Sequence, residues 1–389
     1  MSFQETTSVS WFGRIKRSLI GLLVGLLLVV GMVVLLFWNE GRAVTTARSL
    51  AEGAGLVVTV DANAVDPARE DALVHVTGQV ATTAQPKDAE FGVVADGLRL
   101  TRRVEMYQWI ESSKGETRTR LGGGEDTVTT YTYAKGWSDR PHDSSKFKQP
   151  EGRTNPTMEV RDKSFQVDNA TLGAFSLSQR VIGMFGGATS LPLEADMLDA
   201  IQAAVGAGVR ARISDGRTYI GSNPQEPQVG DYRIGYEVVA AGPASILGRQ
   251  SGSGFEPYQT EAGNAVLMVA TGIQSAEQMF ADAMSANTVI TWILRVVGLI
   301  FLIVGFAMLM APLGVIGDVI PFVGSIVRMG TGLIAAVLGV LVGSAAIAVA
   351  WFWYRPLISI VVLAIGLGVA WFLTQRARKT AAQAAPVAA

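Results

Sequence analysis

Residues 19–38 read LIGLLVGLLLVVGMVVLLFW, twenty positions without a charged side chain. At 1.5 Å per residue in an α-helix, such a run covers the ~30 Å hydrocarbon core of a bilayer. Arg14, Lys16 and Arg17 precede it. A cleaved signal peptide shares that basic start. The run exceeds the roughly 7–15 residues of a signal core, however, and no A-x-A-like site follows Trp38, so the segment reads as an uncleaved span.

A second apolar stretch occupies residues 289–373, too long for one crossing, and its punctuation divides it. The first piece, 289–311, ends at Pro312; the next, 331–353, ends at the Tyr354-Arg355-Pro356 turn; the last, 357–373, stops before Arg376, Arg378 and Lys379. Residues 312–330 are broken by glycines, Pro321, Asp318 and Arg328, and read as an interfacial or re-entrant connector, with a fifth span as the alternative. Basic flanks favour the cytoplasm. The expected layout is a cytoplasmic segment 1–18, span 19–38, an extracytoplasmic domain 39–288, spans 289–311, 331–353 and 357–373, and a basic cytoplasmic tail 374–389. Phe37, Trp38, Trp292, Trp351, Trp353, Tyr354 and Trp371 stand near the span ends, where amphipathic rings prefer the headgroup level.

The composition agrees with this reading. Of 389 residues 49% are hydrophobic and only 17% charged, against about a quarter charged in ordinary soluble domains. There is no cysteine, which excludes disulfides, thiolate metal sites and cysteine nucleophiles. A net charge of -1 without a basic, aromatic-interleaved stripe gives no indication of nucleic acid. The Ala/Gly/Val-rich, cysteine-free chain leads to the expectation of a bacterial source.

Between the first two spans, alternating or β-branched runs at 56–60, 73–80, 98–110 and 127–133 predict strands, as in Val104-Glu105-Met106-Tyr107-Gln108-Trp109. Gly122-Gly123-Gly124 reads as a hairpin loop, and 139–156 as a polar surface loop. Residues 192–205 switch to a helical period, strands return at 209–213, 232–239 and 265–270, and a helix is predicted over 273–284. Two readings stand for that last helix: its Ile273, Phe280 and Met284 face clamps the domain, or it lies on lipid. The fold class is therefore a multi-pass α-helical membrane protein of four spans, with a large α+β, mainly antiparallel β domain between spans one and two.

Trp38-Asn39-Glu40-Gly41-Arg42-Ala43-Val44 closely resembles the signature of the LUMA transmembrane family. Further resemblances follow in order: Leu73 to Gly78, then Glu105, Tyr107 and Trp109 within their strand, Gly230-Asp231-Tyr232-Arg233-Ile234, and Tyr354-Arg355-Pro356-Leu357. The resemblance implies four spans, cytosolic termini and a lumenal domain. It also implies endoplasmic reticulum and inner nuclear membrane proteins that self-associate and organise membrane complexes. It supplies no catalytic residues, and each motif taken alone reads as structural.

The residues themselves offer little chemistry. His75 reads as a surface or satisfied strand position, and His142 with Asp139 and Asp143 lacks a third metal ligand. Glu105 and Glu111 share a strand face at roughly 20 Å, too far apart for a paired-carboxylate hydrolase. No enzyme, metal or cofactor is expected. Arg295 is the one clear ionisable residue within a span, and it leaves an oligomeric channel or transporter open beside a scaffold. Gly21 and Gly25, and Gly332, Gly339 and Gly343, form small-residue stripes that serve packing within one bundle or self-association. The expected partners are the bilayer, further copies of the chain and other membrane proteins.

Overall fold

Alternation in sequence becomes sheet and unbroken apolarity becomes helix in the computed structural model, which describes residues 2–205 and 210–357 and isolated positions up to Trp371. Ten of the seventeen residues of the fourth expected span, 357–373, and all of the tail, 374–389, fall outside that description. The described chain divides into two compact units: residues 1–7, 49–117 and 127–283 form one, and 8–48, 118–126 and 284 onward the other.

The first unit is β-rich. Its strands include β1 (Ser2–Val9), β2 (Val58–Val60), β3 (Leu73–Ala81), β4 (Arg99–Thr119), β5 (Glu125–Ser138), β6 (Tyr232–Val239), β7 (Pro243–Ser251) and β8 (Met268–Thr271). An eight-stranded sheet runs β1-β5-β4-β6, then Arg217–Ile220 and Ala211–Ser214. A seven-stranded sheet centres on the antiparallel pair β3 and β7, with β8 along β7 and β2 parallel to β3. Every other side chain of Val104-Glu105-Met106 turns inward: Val104 and Met106 are buried with Leu100, Ile201, Ile234 and Tyr236. A separate core gathers Val74, Val76, Leu172, Phe175, Ile246 and Phe255.

The alternation in β3 also places His75, and the satisfied reading is the one realised. The side chain is buried at 2% exposure. Its Nε2 lies 3.0 Å from the Gln274 carbonyl and its Nδ1 3.2 Å from Thr59 Oγ1. The carbonyl can only accept, so Nε2 carries the proton and the Thr59 hydroxyl donates to Nδ1. Burial lowers the His75 pKa below its ordinary 6.5, against the smaller opposing effects of the Gln274 carbonyl and the Glu277 charge. The unfolded chain therefore takes up a proton near pH 6.5 where the folded one does not, and stability falls as pH drops through that value. The predicted slope is at most about 1.4 kcal/mol per pH unit. Denaturant unfolding of the wild type and His75→Gln from pH 7.5 to 5 checks it, since the variant should lose this component of the slope.

The α-helices among the described residues include α1 (Trp11–Leu56), α2 (Gln179–Met184), α3 (Ala195–Val205), α4 (Ala276–Gly317) and α5 (Pro321–Tyr354). Three of them, α1, α4 and α5, are long and apolar enough to cross a bilayer. Two expected breaks are absent. The helix predicted over 273–284 starts at Ala276 behind a Ser275/Gln278 capping box and continues through 285–288 without interruption. Helix α4 also passes Pro312, and α5 starts at Pro321, so the expected irregular connector 312–330 is mostly helix around a short turn at 318–320. Proline at the first helical position leaves no N–H unsatisfied there, which is why Pro321 begins a helix.

The N-terminal segment carries the first strand. β1 is a strand in the same sheet as β5, although the first apolar run separates them in sequence.

Candidate functional site

Within the helical unit, Asn39, Glu40, Gly41 and Arg42 occupy successive positions about 100° apart around α1 and so meet different neighbours. Glu40 is fully buried. Its carboxylate accepts from Arg295 Nε at 2.6 Å and Nη2 at 2.8 Å, a bidentate pair, and from Trp351 Nε1 at 2.9 Å. The Arg295 guanidinium lies over the Trp292 ring at 4.8 Å and the Trp351 ring at 5.8 Å, so one buried charge pair joins α1, α4 and α5.

Asn39 and Arg42, three residues apart, share the next face. Asn39 Nδ2 donates to the Thr291 carbonyl at 3.1 Å, and Arg42 donates to Asn287 Oδ1 and Thr291 Oγ1, both at 2.9 Å, and to Asn39 Oδ1 at 3.2 Å. Arg42 Nε is buried without a partner among the described residues. Gly41 allows the Tyr354 ring to approach: a Cβ there would stand 2.6 Å from it, and Tyr354 also meets Phe37 at 5.3 Å. The Arg355 N–H caps α5 through the Trp351 carbonyl at 2.7 Å, while Trp38 and Pro356 face outward.

A second buried group involves the start of α1 and the α4–α5 turn. Asp318, fully buried, accepts from Arg14 Nη2 at 2.5 Å and from Arg328. Arg14 also pairs with Glu125 at 3.1 Å and donates to the Gly123 carbonyl at 2.6 Å, so the expected hairpin loop at Gly122-Gly123-Gly124 docks here.

The remaining sequence-predicted positions lie in the β-rich unit and serve its sheet. Glu105 accepts from Arg233 at 2.8 Å and from Arg217. Tyr107 packs on Trp137 at 5.2 Å, and Arg233 lies over that ring at 4.2 Å. The Trp109 backbone N–H donates to Asn155 Oδ1 and its carbonyl accepts from Asn155 Nδ2, while Lys135 lies over its ring. Glu111 accepts instead from the Lys148 N–H, so Glu105 and Glu111 are not brought together. His142 meets Ser138 Oγ at 3.1 Å.

Of the glycine stripes, Gly25, Gly339 and Gly343 are helix contacts. Added Cβ atoms would meet the Gly305 carbonyl at 2.8 Å, the Ile303 backbone nitrogen at 2.9 Å and Leu299 at 2.3 Å respectively. Gly21 and Gly332 have nothing within 4 Å and belong to no contact among the described residues. Gly339→Ala is therefore expected to lower the stability of the helical unit by about 1–3 kcal/mol through overpacking. Gly332→Ala should be neutral or slightly stabilising through helix propensity. Unfolding of both variants in detergent or nanodiscs checks the contrast.

The sequence reading missed the partner of Arg295 because it ended the first span at Trp38, two residues before Glu40. The available signal was an acid and a base on two apolar helices, which burial forces to pair.

The model of the family described as Transmembrane protein 43 matches residues 106–356. The chain belongs to that family. Human Transmembrane protein 43 is 30% identical over 369 residues, covering 91% of this chain and 89% of its own. The mouse protein is 31% identical over 359 residues, covering 88% and 87%, and the homologue from Drosophila melanogaster 27% over 356 residues, covering 88% and 91%. No solved structure matches. Membership bears out the family resemblance, and the apolar helices make the chain an integral membrane protein. These relatives are animal proteins and lend the expectation of a bacterial source no support.

Proposed function

We propose that this family member is a non-enzymatic membrane scaffold, which self-associates and organises membrane protein or lipid assemblies. The observation that carries this reading is the use made of the charges in the helical unit. Glu40 is consumed by Arg295 and Trp351, and Asp318 by Arg14 and Arg328, in contacts that hold helices to one another. Buried charges so paired fix which helices meet, and they are not left free to relay an ion or a proton. The bilayer, a second copy and other membrane proteins are the partners, and nucleic acid is not one. The site is an endomembrane for a eukaryotic member and the cytoplasmic membrane for a bacterial one, with the carboxyl-terminal tail on the cytoplasmic side and the β-rich unit opposite.

An oligomeric channel or transporter is the second reading, favoured by one observation. Among the described residues, Arg42 keeps a buried, unpartnered Nε and its hydrogen bonds go to the neutral groups of Asn39, Asn287 and Thr291. Crosslinking and pull-down from native membranes, paired with ion flux from purified protein in liposomes, separates the two. Stable co-purifying assemblies without flux support the scaffold; selective flux abolished by Arg42→Ala replaces it with the channel. Reporters at Pro150 and Ala389 found in one compartment would overturn the sidedness.

A further inference from the structure

Strands β1, β5 and β4 form a three-stranded ribbon beyond the point where β6 stops, because β6 pairs with β4 only from Arg99 to Met106. In an antiparallel hairpin, alternate residues turn their N–H and C=O to opposite sides. Arg120 N–H donates to the Gly124 carbonyl at 2.7 Å, so the even-numbered residues of β4 near the turn bond inward to β5. Tyr107 bonds outward to Asp231 and Gly230, and Trp109 outward to Asn155. Glu111, Ser113, Gly115 and Thr117 continue that outward row, and no strand pairs with them among the described residues.

The other side of the ribbon ends at β1. Gln4 meets Thr130 and Ser8 meets Asp126, while Thr117 meets Thr127 across the hairpin. Those contacts set Gln4 level with Lys114 and Thr6 level with Glu116. They also leave the backbone groups of the even-numbered residues of β1 facing away from β5. Both strands run antiparallel to β5, so the two open edges point the same way on opposite sides of one ribbon.

We propose that β1 of one copy adds in parallel to the open β4 edge of a second copy, so that copies join edge to edge. The parity fits without a slip: the Thr6 N–H reaches the Gly115 carbonyl of the next copy, and that copy's Thr117 N–H returns to the Thr6 carbonyl. Charges are compatible, since Gln4 falls beside Lys114, Glu5 beside Gly115 and Thr6 beside Glu116, with no like pair opposed. Lys114 and Glu116 are exposed and guard the edge against indiscriminate strand addition. A second copy is the occupant because each contact consumes one edge of each kind and regenerates the same open pair. Such a head-to-tail contact repeats until it closes into a ring.

This inference rests on the self-association proposed above, and its test separates the two. The sequence contains no cysteine, so introduced pairs report without background. Within one copy, Thr6 and Glu116 are two strand spacings apart, about 9–10 Å, beyond the reach of a disulfide. In the Thr6→Cys, Glu116→Cys double variant of the full chain, mild oxidation in native membranes should give a ladder of dimers, trimers and higher species. A control pairing Thr6→Cys with Lys163→Cys should give no ladder. Thr117→Pro removes an outward backbone donor and leaves the backbone bonds of the hairpin in place, losing only the exposed Thr117–Thr127 hydroxyl contact, and should reduce the assembly to monomers with the melting temperature nearly unchanged. Native mass spectrometry of unoxidised wild-type protein completes the test. An oligomer with no ladder, or one that survives Thr117→Pro, overturns the edge pairing while self-association stands; a monomer overturns both.

Discussion

Glu40→Ala should destabilise the helical unit by about 3–5 kcal/mol, the usual consequence of leaving a buried charge without its partner. The Arg295 guanidinium would keep its two tryptophan neighbours but lose both charge-assisted hydrogen bonds, and Trp351 Nε1 would lose its acceptor. Removing the second charge as well should recover most of the loss, because an apolar side chain of similar length tolerates the site better than an unpaired cation. Unfolding of Glu40→Ala, Arg295→Met and the double variant in nanodiscs measures this as a double-mutant cycle. Additive losses would show that the pair does not interact.

Phe280→Ala should cost the β-rich unit a comparable 3–5 kcal/mol, the range for deleting a buried aromatic. Phe280 is 4% exposed, and its ring meets the face of Gly53 within a cluster of Leu50, Leu73, Leu247, Val266 and Met279. Of the two readings left open by the sequence, the packed one is realised at this position. Ile273 and Met284, expected on the same apolar face, are 63% and 39% exposed. Hydrogen exchange on the full chain is the measurement. Faster exchange in β3 and β7, with unchanged exchange in α5, is the expected pattern; unaltered β3 and β7 protection would return Phe280 to the lipid reading.

Much of the fold was legible because hydropathy and period are local properties. The uncharged run at 19–38 lies within α1, and all but the first residue of the alternation at 98–110 lies within β4. Charge content alone separated the apolar helices from the β-rich unit. The stripe glycines were legible only as candidates: Gly332 and Gly339 stand on the same small-residue stripe, and which one meets another helix depends on the crossing point.

What the sequence by itself determined was therefore the element types, the family and the division of the chain between apolar helices and a β-rich domain. Each follows from the order of side chains along a few turns or a few strand residues. The tertiary structure alone decided that Glu40 answers Arg295, that Asp318 answers Arg14, and that β1 joins the sheet of β5. It also decided that α4 continues past Pro312 and through 285–288, where punctuation predicted breaks. Those outcomes share one physical reason. A buried charge, an open strand edge or a helix lacking one hydrogen bond is resolved by whichever distant segment can supply the missing partner, and that segment is chosen by packing in three dimensions.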